Sequence, residues 1–536
     1  MTPAPDSRLG GDRRTVELYD TTLRDGAQRA GLSYSVEDRL RILHKLDQLG
    51  IPYVEGGWPG ANPRDTEFFK LATKEQLQTS TLTAFGMTRR TAEKAEASAV
   101  LRDLLETEAQ VVCVVGKSSA LHVAEALRTT RGEGIAMVRE SISFLRGEGR
   151  RVFFDAEHFF DGYREDPDYS LAVLLAAEEA GAERLVLCDT NGGMLPHDVS
   201  EIVTAVRGRV TTPVGVHFHN DAGCAVANSL IAVEQGAFQV QGTINGYGER
   251  TGNADLIPIA ANLSLKIGIA CLPDGAVERL TEVAHYVAEV ANVAPDSHQP
   301  YAGRYAFTHK AGLHTSGVSR FSDAYEHVPP DLVGNRRGVA ASDLGGGSTL
   351  KMKAAEFGLD LSDAAIPRLV GELKDREARG YAFDVADASL ELLMRRAYGW
   401  RQPFFEVESY RVHVEHRRVE EAPLAEATVK VLTKGSRHIE SAEGHGPVGA
   451  LDNALRKALA NDYPELDVMS LEDYRVRVLD ETHGTGAVVR VLIDTSNGER
   501  EWTTVGVSEN IIEASWEALT DAYLFGLLHP REEPDA

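Results

Sequence analysis

Short runs rich in β-branched residues alternate, through the first half of the chain, with longer stretches whose Leu, Ala and Val recur every three or four positions. The first spacing fits buried strands and the second amphipathic helices. Candidate strands open at Val16 (VELYDT), Tyr53 (YVEGG), Thr81 (TLTAFG), Val111 (VVCVVG), Arg151 (RVFFDAE), Arg184 (RLVLCDT), Pro213 (PVGVHFHN) and Phe238 (FQVQGTING). Helical stretches lie between them, among them 36–49, 92–105, 170–180 and 225–235. Such an alternation, repeated over about 250 residues, is the rhythm of a (β/α)8 TIM barrel, an α/β fold. The alternative is an open doubly wound sheet. That fold usually begins with a Gly-rich phosphate turn after its first strand, and none follows here.

From about residue 271 to 402 the rhythm is lost. Helical patches at 277–290, 362–379 and 386–397 alternate with Gly/Pro/Ser-rich connections such as Gly345-Gly346-Gly347-Ser348, which reads as a helical linker region. The last segment repeats itself. Tyr410-Arg411-Val412 recurs as Tyr474-Arg475-Val476, and Val448-Gly449-Ala450 recurs as Ile512-Glu513-Ala514, both at an offset of 64. Each copy reads strand, strand, Gly-containing turn, helix, so the segment is expected to be an α+β module of two ββα-type repeats with a pocket between them. No His/Asp/Glu set recurs in it, which favours a binding module over a second catalytic centre. The expected divisions are a tail (1–14), a barrel (15–275), helical linker subdomains (276–402) and a C-terminal module (403–530).

Composition narrows the setting. A net charge of -25 with no basic block speaks against nucleic acid or an anionic membrane as partner. No apolar run is long enough to span a bilayer, and the first fourteen residues lack the apolar core of a signal peptide. Cys113, Cys188, Cys224 and Cys271 are widely spaced and form no C-x-x-C pair, which fits free thiols in a reducing compartment. The expectation is a cytoplasmic protein.

Candidate chemistry gathers where predicted strands end, the face on which barrel enzymes place catalysis. Arg24 and Asp25 follow strand one, Glu157 ends strand five, Thr190 ends strand six, and Glu249 and Asn253 follow strand eight. His217 and His219 end strand seven, two apart, so both imidazoles project to one face. They could hold one divalent ion or form a hydrogen-bonded core pair. Asp25 offers an anionic oxygen, although Asp beside Gly is also an ordinary turn residue. Asn253 could add a neutral oxygen. This N/O set without thiolate suits Mn, Zn, Co or Mg.

The runs LYDTTLRDGAQ, HFHNDAGCAVANS, GYGERTGN and HKAGLHTSG, in this order, resemble the pyruvate-carboxyltransferase-like barrels, a family that holds isopropylmalate, homocitrate and citramalate synthases. EGGWPGANPRD is most similar to one citramalate-forming branch, and GHGPVGAL with VGVSENIIEASW resembles the allosteric domain of isopropylmalate and citramalate synthases. The resemblance runs from Val16 to Leu528. It implies that Asp25, His217, His219 and Asn253 bind the metal and that Arg24 stabilises the developing alkoxide. Glu157 and Thr190 would contact the 2-oxo acid, and Glu249 would orient Asn253 from behind. It also brings His314 to the active site, often that of the partner subunit. Tyr325 aligns less closely with a family tyrosine and reads equally as a packed linker aromatic.

The implied reaction is a Claisen condensation of acetyl-CoA with pyruvate, then thioester hydrolysis to citramalate and CoA, in isoleucine biosynthesis. His314 and Glu157 both remain candidates for the base. The nearest rival uses 2-oxoisovalerate and forms 2-isopropylmalate. Trp58, near the end of strand two, is bulky enough to shrink a pocket to a methyl group and favours pyruvate. Lys351-Met352-Lys353 faintly resembles a biotin-lysine motif, but no β-rich carrier domain surrounds it. A lyase, or an amino-acid-sensing scaffold with an inert barrel, fits the full residue set less well. The resemblance further implies a homodimer with isoleucine as effector.

Overall fold

The computed structural model describes residues 14–309, 325–339, 347–360, 362, 364–415, 424–479 and 487–531. These fall into two compact units, one reaching Phe307 and including Val328–Arg337, the other made of the rest.

The first unit is a closed barrel of eight parallel strands. They are β1 (Glu17–Asp20), β2 (Tyr53–Gly57), β3 (Thr81–Met87), β4 (Val111–Lys117), β5 (Arg151–Glu157), β6 (Arg184–Asp189), β7 (Val214–Phe218) and β8 (Gln239–Gly242). β1 closes the ring by pairing with both β2 and β8. The expected strands are all present, within a residue of their expected starts. Helices Val36–Leu49, Pro167–Glu179 and Ala225–Glu234 follow their strands as the periodicity predicts. The first is bracketed by a Ser35/Asp38 capping box and by Gly50 at φ 94°, where a Cβ would lie 2.4 Å from the Pro273 ring. The helix expected over 92–105 is a correction. Ala92 has φ 59°, and Lys94 and Ser98 are extended, so a 3-10 turn (Ala95–Ala97) precedes a shorter helix, Ala99–Glu106.

Strand alternation sorts the barrel into two cores. Outward residues such as Val214, Val216 and Phe218 join one large cluster with the helices. Inward residues form a separate plug of Tyr19, Tyr53, Phe85, Val111, Cys113 and Phe153, in which the Tyr53 and Phe153 rings meet edge-on at 5.1 Å. Toward the strand starts, Arg184 binds both carboxylate oxygens of Glu17 at 2.8 and 2.9 Å. The inner positions nearer the strand ends carry polar groups instead: Glu55, Asp155, His217 and Gln241, all buried.

In the second unit, helices Gly347–Glu356, Ile366–Ala378 and Asp387–Ala397 share a core of Leu350, Leu369, Leu373, Phe383, Leu390 and Val505. Lys353 is buried among them and bonds Asp387 at 3.1 Å and Glu356 at 3.0 Å, so it is a packed structural lysine. The C-terminal repeat is real, and each copy has three antiparallel strands where the sequence pattern resolves two. β9 (Phe405–Glu415), β10 (Leu424–Thr433) and β11 (Ser436–Gly444) precede helix Pro447–Leu459. β12 (Ser470–Val478), β13 (Val489–Ser496) and β14 (Glu501–Ser508) precede helix Ile511–Leu528. Even the irregularity repeats: a register shift at Val407/Ser409 recurs at Leu471/Asp473, 64 residues on. Among the described residues no helix is long and apolar enough to cross a membrane.

Candidate active site

β1 ends at Asp20, and the Thr-Thr-Leu-Arg-Asp-Gly segment turns there. Thr22 donates its backbone N–H and hydroxyl to the Asp20 carboxylate at 2.9 and 2.8 Å. Ile244 N–H donates to Thr22 Oγ1 at 2.9 Å, which pins the loop after β1 to the loop after β8. Arg24 and Asp25 are thereby set beside the ends of β7 and β8.

Asp25 Oδ2 lies 3.2 Å from His217 Nε2 and 3.7 Å from His219 Nε2, and the two Nε2 atoms are 3.4 Å apart. Asn253 Nδ2 donates to Asp25 Oδ2 at 2.9 Å and stands 3.3 Å from His217 Nε2. All four side chains are buried. Burial alone would raise the Asp25 carboxyl, but Arg24 and the two histidines hold it well below the usual range. Burial and then the neighbouring His217 push His219 down to about 4. His217 is opposed by burial, yet its hydrogen bond and attraction to Asp25 leave it raised.

The donor set fits a divalent cation. Asp25, His217 and His219 turn one oxygen and two ring nitrogens on a common point, the only such group among the described residues. Asn253 Oδ1 is buried with no donor in reach. Turned over, that amide would offer its oxygen to the cluster as the fourth, neutral ligand, since the amide atoms are told apart only by their hydrogen bonds. Gly248 makes room for it: a Cβ there would lie 1.9 Å from Asn253 Oδ1.

Arg24 is fixed from three sides. Its Nε donates to Glu55 Oε1 at 2.5 Å, its Nη1 lies 3.5 Å from Asp25 Oδ1, and its guanidinium covers the Phe85 ring at 3.8 Å. Glu55 also accepts from the Tyr19 hydroxyl at 2.6 Å. A cavity of about 380 Å³ opens above this group, its lining including Trp58, Phe85, Lys117, Glu157 and Thr190. That is room for a small ligand. Trp58 meets Phe85 edge-on at 5.5 Å, so the two rings form one wall.

Of the other expected residues, Glu157 lines the cavity with Oε2 2.5 Å from Lys117 Nζ. Thr190 lines it too, and its hydroxyl accepts from the His158 N–H at 2.9 Å. Glu249 reaches the rim with its carboxylate 3.7 Å from Arg250 Nη1. Arg250 in turn grips both Asp221 oxygens at 2.8 and 2.9 Å and the Thr190 carbonyl at 2.8 Å, tying together the loops after β6, β7 and β8. Tyr325 belongs to the second unit, is 41% exposed, and its ring stands 6.4 Å from that of His309. His314 lies outside the described residues. Sequence reasoning did not single out Glu55, Lys117, Asp155, Gln241 or Arg250. Glu55, Asp155 and Gln241 had a legible signal, a polar residue on the inner face of a strand with both faces buried.

Residues 15–287 match the HMGL-like family, 302–380 the homocitrate synthase post-HMGL domain-like family, and 384–525 the LeuA allosteric (dimerisation) domain. An (R)-citramalate synthase of Synechocystis sp. is 50% identical over 96% of this chain and 96% of its own length. One of Streptomyces coelicolor is 50% identical over 97% of this chain and 98% of its own. A probable 2-isopropylmalate synthase of Methanopyrus kandleri is 32% identical over 94% of this chain and 96% of its own. With the Asp-His-His cluster, the anchored arginine and two further domains in the matching order, the chain belongs to the HMGL-like family, in its (R)-citramalate synthase branch.

Proposed function

We propose that the chain condenses acetyl-CoA with pyruvate and hydrolyses the thioester, releasing (R)-citramalate and CoA, as a step toward isoleucine. The observation that carries this reading is the convergence of Asp25, His217 and His219 beside Arg24, at the base of a cavity walled by Trp58 and Phe85.

A divalent cation held by Asp25, His217 and His219, with Asn253, would supply Lewis acidity toward the carboxylate and keto oxygens of a 2-oxo acid. Arg24 presents a charged donor, held in place before reaction, to the oxygen that gains charge as the carbon–carbon bond forms. Its contacts to Glu55 and Phe85 leave little freedom to reorganise. Thr190 and Glu157 line the cavity, which supports assigning them contact with the 2-oxo acid. Glu157 is one candidate to take the proton from the acetyl methyl group, and His314 is the other. Exchange of that methyl proton into deuterated water separates them: the variant lacking the true base, Glu157→Gln or His314→Asn, loses exchange.

Thiol release from acetyl-CoA across a panel of 2-oxo acids, with product identification, tests the whole reading. Citramalate from pyruvate is the expected outcome. A higher specificity constant for 2-oxoisovalerate would assign the chain to 2-isopropylmalate formation.

The C-terminal module is an allosteric and dimerisation domain by its match. Val414, Ile439, Val476 and Val478 are exposed on its outer strands, which supports a homodimer. Isoleucine is the effector we assign to it. Helix Pro447–Leu459 has no side-chain cap at Gly446, so its first-turn N–H groups are open to a carboxylate, whereas Asn510 caps helix Ile511–Leu528. Calorimetry with isoleucine, and leucine as control, tests the assignment. Binding of neither would leave the module a purely structural one.

A further inference from the structure

His217 turns its second ring nitrogen away from the cluster and into the barrel. Nδ1 lies 2.9 Å from Oε1 of Gln241 on β8, and Gln241 Nε2 donates to Asp155 Oδ1 on β5 at 3.0 Å. Cys113 on β4 lies beside Asp155. Gln241 and Cys113 are 0% exposed, and Asp155, which lines the floor of the cavity, is 3% exposed.

With Asp155 as a carboxylate, counting donors and acceptors fixes the direction of each bond from Asp155 through Gln241 to His217. A carboxylate accepts, so the Gln241 amide must turn its NH2 toward Asp155 and its oxygen toward His217. An amide oxygen also only accepts, so His217 Nδ1 carries the hydrogen. In the neutral ring, the form that a cation would meet, Nε2 is then the bare nitrogen, and it is Nε2 that faces Asp25 and His219. His219 has no comparable support, because its Nδ1 is buried without a hydrogen-bond partner. One imidazole of the pair is set by the barrel interior and the other is not.

We propose that Gln241 and Asp155 are positioning residues, a buried relay that locks His217 in the Nδ1–H tautomer and so presents an unprotonated Nε2 to the cation. This rests on the reading of Asp25, His217 and His219 as metal ligands. It goes beyond that reading by assigning ligand strength to two side chains that do not themselves join the cluster. Partners behind a metal-bound histidine fix its ring and tautomer, and losing them weakens metal binding about ten- to hundredfold.

The test reads Mn(II) affinity, by competition with a chelating dye, on the full-length protein without substrate. Gln241→Leu keeps approximate volume and removes both bonds, so affinity should fall by about ten- to hundredfold. Gln241→Glu keeps an acceptor toward His217 but sets two carboxylates against each other, and should also weaken binding. Gln241→Glu combined with Asp155→Asn restores the polarity, since the new amide on β5 can donate to the new carboxylate on β8, which still accepts from His217. That double variant should recover most of the affinity lost by Gln241→Glu, a rescue that simple core filling does not predict. Circular dichroism checks the fold of each variant. If Gln241→Leu does not fold, the comparison of Gln241→Glu with the double variant decides. Unchanged affinity in Gln241→Leu, or a double variant no better than Gln241→Glu, overturns the relay alone. A wild-type protein that binds no Mn(II) overturns the metal reading as well.

Discussion

Arg24 Nε and Glu55 Oε1 stand 2.5 Å apart, and the glutamate of this pair is wholly buried. Burial raises the Glu55 carboxyl, and the Arg24 charge opposes the rise, so the pair holds its charges by mutual support. Removing one member of a buried pair leaves an uncompensated charge, at a cost of about 3–5 kcal/mol. Glu55→Gln should therefore lower both stability and kcat. Loss of a fixed donor to a developing oxyanion lowers kcat by about 10²–10³-fold. Steady-state kinetics beside urea titration checks this. A variant with lowered stability and unchanged kcat would show that Arg24 needs no anchor.

The Asp25–His217–His219 cluster predicts strict dependence on a cation. Chelation should abolish thiol release, and Mn(II) should restore it. His217→Ala and His219→Ala should each remove activity while circular dichroism stays near wild type. Full turnover by metal-free protein would exclude the role given to the cluster.

The barrel was legible because its strands are buried on both faces and read as short apolar runs bounded by turns. Periodicity predicts one helix over 92–105 because the spacing of side chains does not reveal the positive φ of Ala92 or the extended Ser98. In the C-terminal repeat, β9 and β12 carry mostly solvent-facing residues, so hydrophobic spacing alone did not resolve every strand. The site divides in the same way. His217 and His219 stood out because two histidines two apart share a face whatever the tertiary fold. Glu55, Asp155 and Gln241 are single polar residues on three separate strands: strand pairing sets Glu55 beside Arg24 and Gln241 beside His217, and barrel closure brings Asp155 across to Gln241. Lys117 ends β4 and meets Glu157 across the β4–β5 register, a pairing that depends on strand order.

Trp58 closes one wall of the cavity with Phe85. Wild type should prefer pyruvate to 2-oxobutyrate and use 2-oxoisovalerate poorly. Trp58→Ala should narrow the preference for pyruvate over 2-oxobutyrate by about tenfold or more, the scale of 1–3 kcal/mol per methylene. Specificity constants for the three acids check it. An unchanged ratio in the variant would place the discriminating contact elsewhere.

Asp20 gives the chain a pH-dependent stability whose sign follows from its surroundings. Burial raises its carboxyl from 3.8 to about 7, against the hydrogen bonds from Thr22 and with some help from the Glu55 charge. Between those values the folded chain keeps the proton that the unfolded chain has released. The stabilisation is thus fully present below pH 3.8 and is lost as pH rises through about 7. Within the window the loss approaches 2.3RT, about 1.4 kcal/mol per pH unit for one group. Asp20→Asn keeps an acceptor for the Thr22 N–H and cannot ionise. Its stability relative to wild type should therefore improve steadily from pH 4 toward pH 8, whatever its offset at pH 4. Urea midpoints for the two proteins at pH 5, 6, 7 and 8 measure the trend. A difference that stays constant across this range would mean that Asp20 is already ionised in the folded barrel, held by the Thr22 hydrogen bonds against its burial.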